Sequence, residues 1–208
     1  MQRNNIRIAI QKEGRLRNPS LEFLEFLGLQ FSKDNGRTLV VPCRNANVEI
    51  LYVRHSDIPQ YVQSGAADFA VVGGNVLYEN NCKVRELKKI NFGMCSLVIA
   101  VPINSPIQKA EELEGERIAT SYPNSLRKFL QKQKINAAII EIKGAVEIAP
   151  ALGLTDAICD LTQTGNTLKE NALKPIETLF NSTAVFIESP FESKQKNEFI
   201  NKFLTTAL

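Results

Sequence analysis

The sequence predicts an α/β protein of two lobes with a ligand cleft between them, and three observations predict it. Short β-branched or apolar runs alternate with amphipathic stretches, the order of strand and helix units on a largely parallel sheet. The alternation passes once through residues 6–77 and restarts at Cys95. Apolar runs also end in polar, glycine-bearing loops, notably after Ile10, Val72 and Cys159. That strand end is where open α/β sheets bind ligands.

The run IRIAI at residues 6–10 is a strand, and QKEGRL after it is a binding-type loop carrying Lys12, Gly14 and Arg15. Asn18 can cap a helix with Pro19 at its first position, Leu21, Leu24 and Leu27 on one face, and Gly28 closing it. Strands follow over residues 38–41 and 48–53, with Arg37 and Arg54 at their ends. Ser56 and Asp57 open a helix over residues 58–64 that Gly65 stops. A buried strand at 69–72 runs into the turn Gly73-Gly74-Asn75, where backbone can approach a ligand, although such a glycine pair serves equally as a plain turn.

The second lobe reads as a strand at 95–101, a helix at 106–113, a strand at 117–120 and a helix capped by Asn124 that runs to Gln133. A strand at 138–142, a helix at 146–152, the segment 156–168 and a strand at 176–180 complete it. Residues 184–188 and an amphipathic helix at 192–204 return to the first lobe. The expected division is 1–92 with 182–208 against 93–181, joined by short crossings at 90–94 and 181–183. Paired crossings make a cleft, and clefts between lobes are where small ligands bind.

Composition narrows the function. The 208 residues are 44% hydrophobic and 23% charged, with a net charge of +3 and scattered cations, so nucleic acid is not an expected partner. No apolar run approaches the roughly 20 residues that span a bilayer, so no membrane partner is expected. The four cysteines lack CxxC spacing and the Met1 end lacks an apolar leader, which together suggest reduced, mostly buried thiols in a cytoplasmic protein. His55 is the single histidine, and it is expected at the surface; chemistry built on paired histidines is excluded.

The most informative stretch is DAICDLTQTGNTL at residues 156–168. An apolar run ends at Asp160, and Thr162, Gln163, Thr164, Gly165, Asn166 and Thr167 then lead into a helix start. Hydroxyls and backbone amides converging at a helix N-terminus hold a phosphate, and a carboxylate at the strand end accepts hydrogen bonds from sugar hydroxyls. Taken alone, such a loop is equally the form of an ordinary capped turn.

The longer segment from Glu147 to Leu168 resembles the signature of the ATP phosphoribosyltransferases, with Thr155 standing where that signature has Gly, Ala or Ser. IAIQKEGRL at 8–16, YVRHSDIPQYVQSGAADFAVVGGNVL at 52–77 and RIATSYPN at 117–124 resemble the same family, in order and at matching spacing. The resemblance implies a two-lobed fold like that of periplasmic binding proteins (type II). It also implies the first reaction of histidine biosynthesis, in which a ring nitrogen of ATP attacks the anomeric carbon of phosphoribosyl pyrophosphate and releases pyrophosphate. Mg2+ would travel with the pyrophosphate and need no protein metal site.

Matched motif to motif, Arg15, Arg37 and Arg54 would stabilise the departing pyrophosphate, a task that suits the planar charged fork of arginine. Asp156 and Asp160 would hold the ribose hydroxyls and Thr162, Gln163, Thr164, Gly165, Asn166 and Thr167 the 5-phosphate. Lys12, Gly73, Gly74 and Glu147 would touch substrate. Structural alternatives stay open: Arg37 as a solvated turn residue, Arg54 paired with Asp57 or Asp68, and Glu147 on an exposed helix face. With the sequence stopping at Leu208, the resemblance is to short-form members, although the core of a long form would look the same; the short form implies a homodimer and a hetero-oligomer with a regulatory subunit similar to histidyl-tRNA synthetase. The competing reading is a non-enzymatic small-molecule-binding module on the same two-lobed fold.

Overall fold

The β-branched runs of the first half pair as parallel strands. The computed structural model describes residues 4–32 and 38–204. The chain divides into two units, Met1–Gly93 with Thr183–Leu208, and Met94–Ser182.

In the first unit β1 (Ile6–Gln11) lies between β3 (Val48–Val53) and β4 (Phe69–Gly73), parallel to both. The short β2 (Val40–Pro42) is antiparallel on the outer side of β3, and the last residues of β9 (Leu173–Glu188) close antiparallel on β4. Strands covered on both faces are apolar throughout, which is why Ile8, Ala9 and Ile10 are all fully buried. One face packs α1 (Arg17–Phe26) and α6 (Lys194–Phe199) through Phe23, Leu24 and Phe199 onto Phe69 and Phe186. The other packs α2 (Ile58–Gln63) and α3 (Gly74–Asn80) through Ile58, Val62, Val76 and Leu77.

The C-terminal helix is pinned by charge as well as by apolar contact. Ser193 caps α6 by accepting the Lys196 N–H at 3.1 Å. The buried Lys196 ammonium donates to the carbonyls of Ser189 and Phe191, each at 2.7 Å, and lies 3.7 Å from Glu188, which also pairs with Arg85. A buried lysine is tolerated because its donors are satisfied in this way. Beyond α6 the chain makes one π-helical turn, Ile200–Leu204.

In the second unit β5 (Arg85–Pro102), which begins in the first, pairs antiparallel with β8 (Ala157–Thr162). β6 (Arg117–Thr120) lies parallel between β8 and β7 (Ala138–Glu141). Leu126 and Leu130 of α4 (Pro123–Gln133) pack on Leu97, Ile99 and Ile118. On the opposite face Val146, Ala149 and Leu168, the last from α5 (Asn166–Glu170), cover Val98, Ala119 and Ile158.

Several elements differ from expectation. The helix expected at 146–152 is a single 3-10 turn, Val146–Ile148, because Pro150 has no N–H with which to continue a helix. That at 106–113 shrinks likewise to Ala110–Leu113. Gly73 and Gly74 open α3 rather than a plain turn, and α1 begins at Arg17 with Leu16, not Asn18, at its cap. Residues 90–94 and 181–183 are not short connections but lie inside the continuous strands β5 and β9. Among the described residues no disulfide joins the four cysteines; Cys95 and Cys159 are buried, Cys43 and Cys82 half-buried. No described helix is long and apolar enough to cross a membrane.

Candidate active site

Because β1, β3 and β4 are parallel, their C-terminal ends emerge along one edge of the first unit. β1 has one of its parallel neighbours on each side, the switch-point arrangement that opens a crevice at this edge. Three of the predicted loops meet there. The Lys12 N–H donates to the Val53 carbonyl at 2.8 Å, joining the Lys12–Arg15 loop to the strand that ends at Arg54. The loop then folds back on Gln11, whose Oε1 accepts the Leu16 N–H at 3.2 Å. Gly73 is packed near Leu16 at the end of β4.

The cations at this edge are differently held. Arg15 is exposed and donates from Nη1 to the Gly93 carbonyl at 2.8 Å. Lys12 Nζ lies 3.8 Å from the Glu13 carboxylate. Arg54 and His55 are exposed. No ion pair joins Arg54 to Asp57, which is bound by Ser56 Oγ at 2.8 Å. Nor does one join it to Asp68, which accepts the Arg7 N–H at the opposite edge of the sheet. Arg37 lies outside the described residues. Arg17, which sequence reasoning did not single out, stacks its guanidinium over the Tyr52 ring at 5.4 Å. The repeat of cations in RLR was the one available signal.

In the second unit the parallel ends of β6 and β8 likewise share an edge. The turn after β8 is built by its own hydroxyls. Thr162 Oγ1 accepts the Gly165 N–H at 3.0 Å, and Thr164 Oγ1 the Asn166 N–H at 3.5 Å. Gly165 has φ +77°, and a Cβ there would meet nothing within 4 Å. Glycine is therefore demanded by the left-handed backbone and not by crowding. Gln163, Thr164, Asn166 and Thr167 are exposed, and Gln163 Nε2 reaches the Met94 carbonyl at 3.2 Å. The N-terminus of α4 follows β6 directly, adding the positive end of a helix to this edge. Thr120 Oγ1 anchors that entry, donating to the Cys159 carbonyl at 2.7 Å and accepting the Tyr122 N–H at 2.8 Å.

Asp160 is half-buried on β8 just before the turn. Burial pushes its carboxyl from an ordinary 3.8 up to about 6; the Leu161 N–H, donated at 2.8 Å, opposes the rise, and the charge of Glu147 adds to it. Glu147 lies in the Val146–Ile148 turn, near enough for its charge to be felt at Asp160.

Asp156 is placed elsewhere. It precedes β8, about 13 Å along the strand from Asp160 at 3.3 Å per residue, at the end away from the turn. Arg117 grips it there: backbone N and Nε donate to Oδ2 at 3.0 Å each and Nη2 to Oδ1 at 2.9 Å. These bonds hold the Asp156 carboxyl down at about 2. The pair ties β6 to β8, and it was missed because its partners lie 39 residues apart in sequence. The neighbouring Thr155 is buried with no hydrogen-bond partner for Oγ1. Chemically, one unit offers exposed amides, hydroxyls and a carboxylate suited to a sugar phosphate, and the other offers guanidinium groups suited to further phosphate. Among the described residues no three His, Cys, Asp or Glu side chains cluster to hold a metal ion.

Two α/β units with polar loops at the C-terminal ends of parallel strands define a protein of the solute-binding-protein fold. The alkanesulfonate-binding protein SsuA of Xanthomonas axonopodis pv. citri, bound to MOPS, shares that fold at a TM-score of 0.59 and 17% identity, over 97% of this chain and 71% of its own. The family model for ATP phosphoribosyltransferase (HisG) matches residues 54–207, and the chain belongs to that family. ATP phosphoribosyltransferases of Cytophaga hutchinsonii and Methanosarcina barkeri are 42% and 40% identical to it, over 96% and 98% of this chain and 69% and 70% of theirs. A chain of the Thermotoga maritima ATP phosphoribosyl transferase (HisG:HisZ) complex matches with a TM-score of 0.81 and 30% identity, covering 96% of this chain and 94% of that one.

Proposed function

We propose that the chain catalyses the first step of histidine biosynthesis, the transfer of phosphoribosyl from phosphoribosyl pyrophosphate to a ring nitrogen of ATP with release of pyrophosphate. The observation that carries this reading is the exposed, hydroxyl-braced turn directly after Asp160, within a chain that matches family members over nearly its whole length. Thr162, Gln163, Thr164, Gly165, Asn166 and Thr167 take the 5-phosphate, which replaces the turn's own hydroxyl contacts. Asp160 accepts from the ribose hydroxyls, which resupply the hydrogen bonds that burial denies its charged form. Glu147 orders that carboxylate or shares the ribose. Asp156 has no part in substrate binding in this reading, because Arg117 occupies it.

The attacking nitrogen is largely unprotonated at neutral pH, so no histidine base is needed. What remains for the protein is to align two polyanions and to neutralise the leaving group. Arg15, Arg37 and Arg54 meet the pyrophosphate as its charge grows, while Lys12 and the backbone at Gly73 and Gly74 contact phosphate or sugar. Magnesium bound to the pyrophosphate would offset part of the leaving group's charge. The oxygens of Glu147 and Asp160 are hard donors of the kind the ion accepts, and a cation near them would relieve their repulsion.

The Thermotoga relative is found with HisZ, which supports a partner of that kind for this chain. We take that partner to be similar to histidyl-tRNA synthetase, the chain itself to pair as a homodimer, and the setting to be the cytoplasm. One assay tests the proposal: protein, ATP, magnesium and phosphoribosyl pyrophosphate are mixed and the ultraviolet absorbance of phosphoribosyl-ATP is followed. Steady product formation is expected. Tight binding of phosphoribosyl pyrophosphate with no product at any substrate concentration would favour the binding-module reading that the solute-binding fold permits.

A further inference from the structure

We propose that Gly93 is a positioning residue for Arg15, holding its guanidinium ready for the leaving group; this rests on the reading of Arg15 as a group that meets pyrophosphate. Two consecutive residues use the same glycine. Arg15 Nη1 donates to the Gly93 carbonyl at 2.8 Å. Leu16 fills the space where a side chain would be, since a Cβ on Gly93 would fall 2.2 Å from Leu16 Cδ2. The backbone there has φ +66°, in the left-handed region that favours glycine.

Neither side of this contact yields easily. Leu16 is 5% exposed within the first unit's core. Its N–H is held by Gln11 Oε1 and its carbonyl accepts from Ser20 Oγ at 2.6 Å. On the strand side, Thr183 Oγ1 lies 2.6 Å from the Ile90 carbonyl and 2.8 Å from that of Phe92, fixing the residues that lead into Gly93. A methyl group at 93 must therefore turn the Leu16 Cδ2 methyl aside within a packed core, or shift the backbone whose carbonyl Arg15 rests on. An exposed arginine samples many rotamers, and one fixed N–H contact restricts the fork to few of them before substrate arrives. Misplacement of a catalytic group by about 1 Å is enough to cost on the order of 100-fold in rate.

A double-mutant cycle on turnover tests this. Gly93→Ala is expected to lower kcat about 10- to 100-fold while the KM for phosphoribosyl pyrophosphate moves by less than about threefold. In an Arg15→Ala background the same substitution should lower kcat no further, because a residue acting through Arg15 has nothing left to position. Leu16→Val, which removes the colliding methyl, should restore part of the loss in Gly93→Ala. If Gly93→Ala alone does not yield folded protein, the Leu16→Val/Gly93→Ala pair takes its place in the cycle. Wild-type kcat in Gly93→Ala, or an equal fractional fall with and without Arg15, overturns the proposal. Wild-type kcat in Arg15→Ala overturns instead the reading of Arg15 on which it rests.

Discussion

Asp160 is held in a state that disfavours its charge, and replacing it by asparagine exposes how strongly. The rise of its carboxyl from 3.8 to about 6 corresponds to about 3 kcal/mol of preference for the neutral form, an upper figure for a half-buried group, so about 1–3 kcal/mol is the working range. An acid raised in the folded state contributes its full stability below the unfolded value and loses it as pH climbs through the folded one. Asp160→Asn keeps an oxygen for the Leu161 N–H and carries no charge, so its stability escapes this loss. Urea unfolding of the unliganded proteins between pH 4 and 8 should show the two variants nearest in stability at the acid end. The wild type should then fall behind by up to about 1.4 kcal/mol per pH unit until the gap levels off above about pH 7. The stabilised variant should be the poorer enzyme, its kcat/KM down at least about tenfold, since hydrogen bonds to a charged acceptor are worth about 1.5–3 kcal/mol. A gap independent of pH, or an asparagine variant less stable at pH 7.5, would refute the placement of a desolvated carboxylate there.

Two further outcomes are expected. Arg15→Ala and Arg37→Ala should each lower kcat by about 100- to 1000-fold and leave the affinity for phosphoribosyl pyrophosphate within a few-fold, because their help comes mainly as the leaving group gains charge; single-turnover kinetics beside calorimetry separates the two effects, and unchanged turnover in both removes the role. Thr155→Ala should raise the free energy of unfolding by about 1 kcal/mol, read by urea titration, since it deletes a buried hydroxyl that makes no hydrogen bond. Thr155→Ser, which keeps the hydroxyl and loses only the methyl, should be the less stable of the two, and the reverse order would contradict the orphaned hydroxyl.

The parallel strands were legible because strands covered on both faces leave near-continuous apolar runs: IRIAI in β1, FAVV in β4 and AIC in β8. The first half of β5 was not, because Arg85, Glu86, Lys88 and Lys89 make it polar, and its strand character comes from pairing rather than composition. α3 was hidden by two glycines at its start, a signal that reads as a turn until Val76 and Leu77 are seen to be buried. The turn residues around Gly165 were legible, since hydroxyl and glycine chemistry is local. The environment of Asp160 was not: its raised carboxyl depends on burial and on Glu147, 13 positions earlier and brought close only by the fold. Asp156 was misplaced for the mirror reason. In sequence it sits four residues from Asp160, but on an extended strand those residues separate its two ends.

The account depends above all on the turn at Thr162–Thr167 receiving a phosphate in the left-handed geometry of Gly165. Calorimetric titration of phosphoribosyl pyrophosphate with magnesium into wild type and Gly165→Val is the direct measurement. A Cβ at 165 would meet nothing within 4 Å, so the variant should fold, while φ +77° is strained for a β-branched residue by about 1–2 kcal/mol or more and the turn must rearrange. Affinity weakened by at least about tenfold is predicted, and wild-type affinity in the folded variant would contradict the claim.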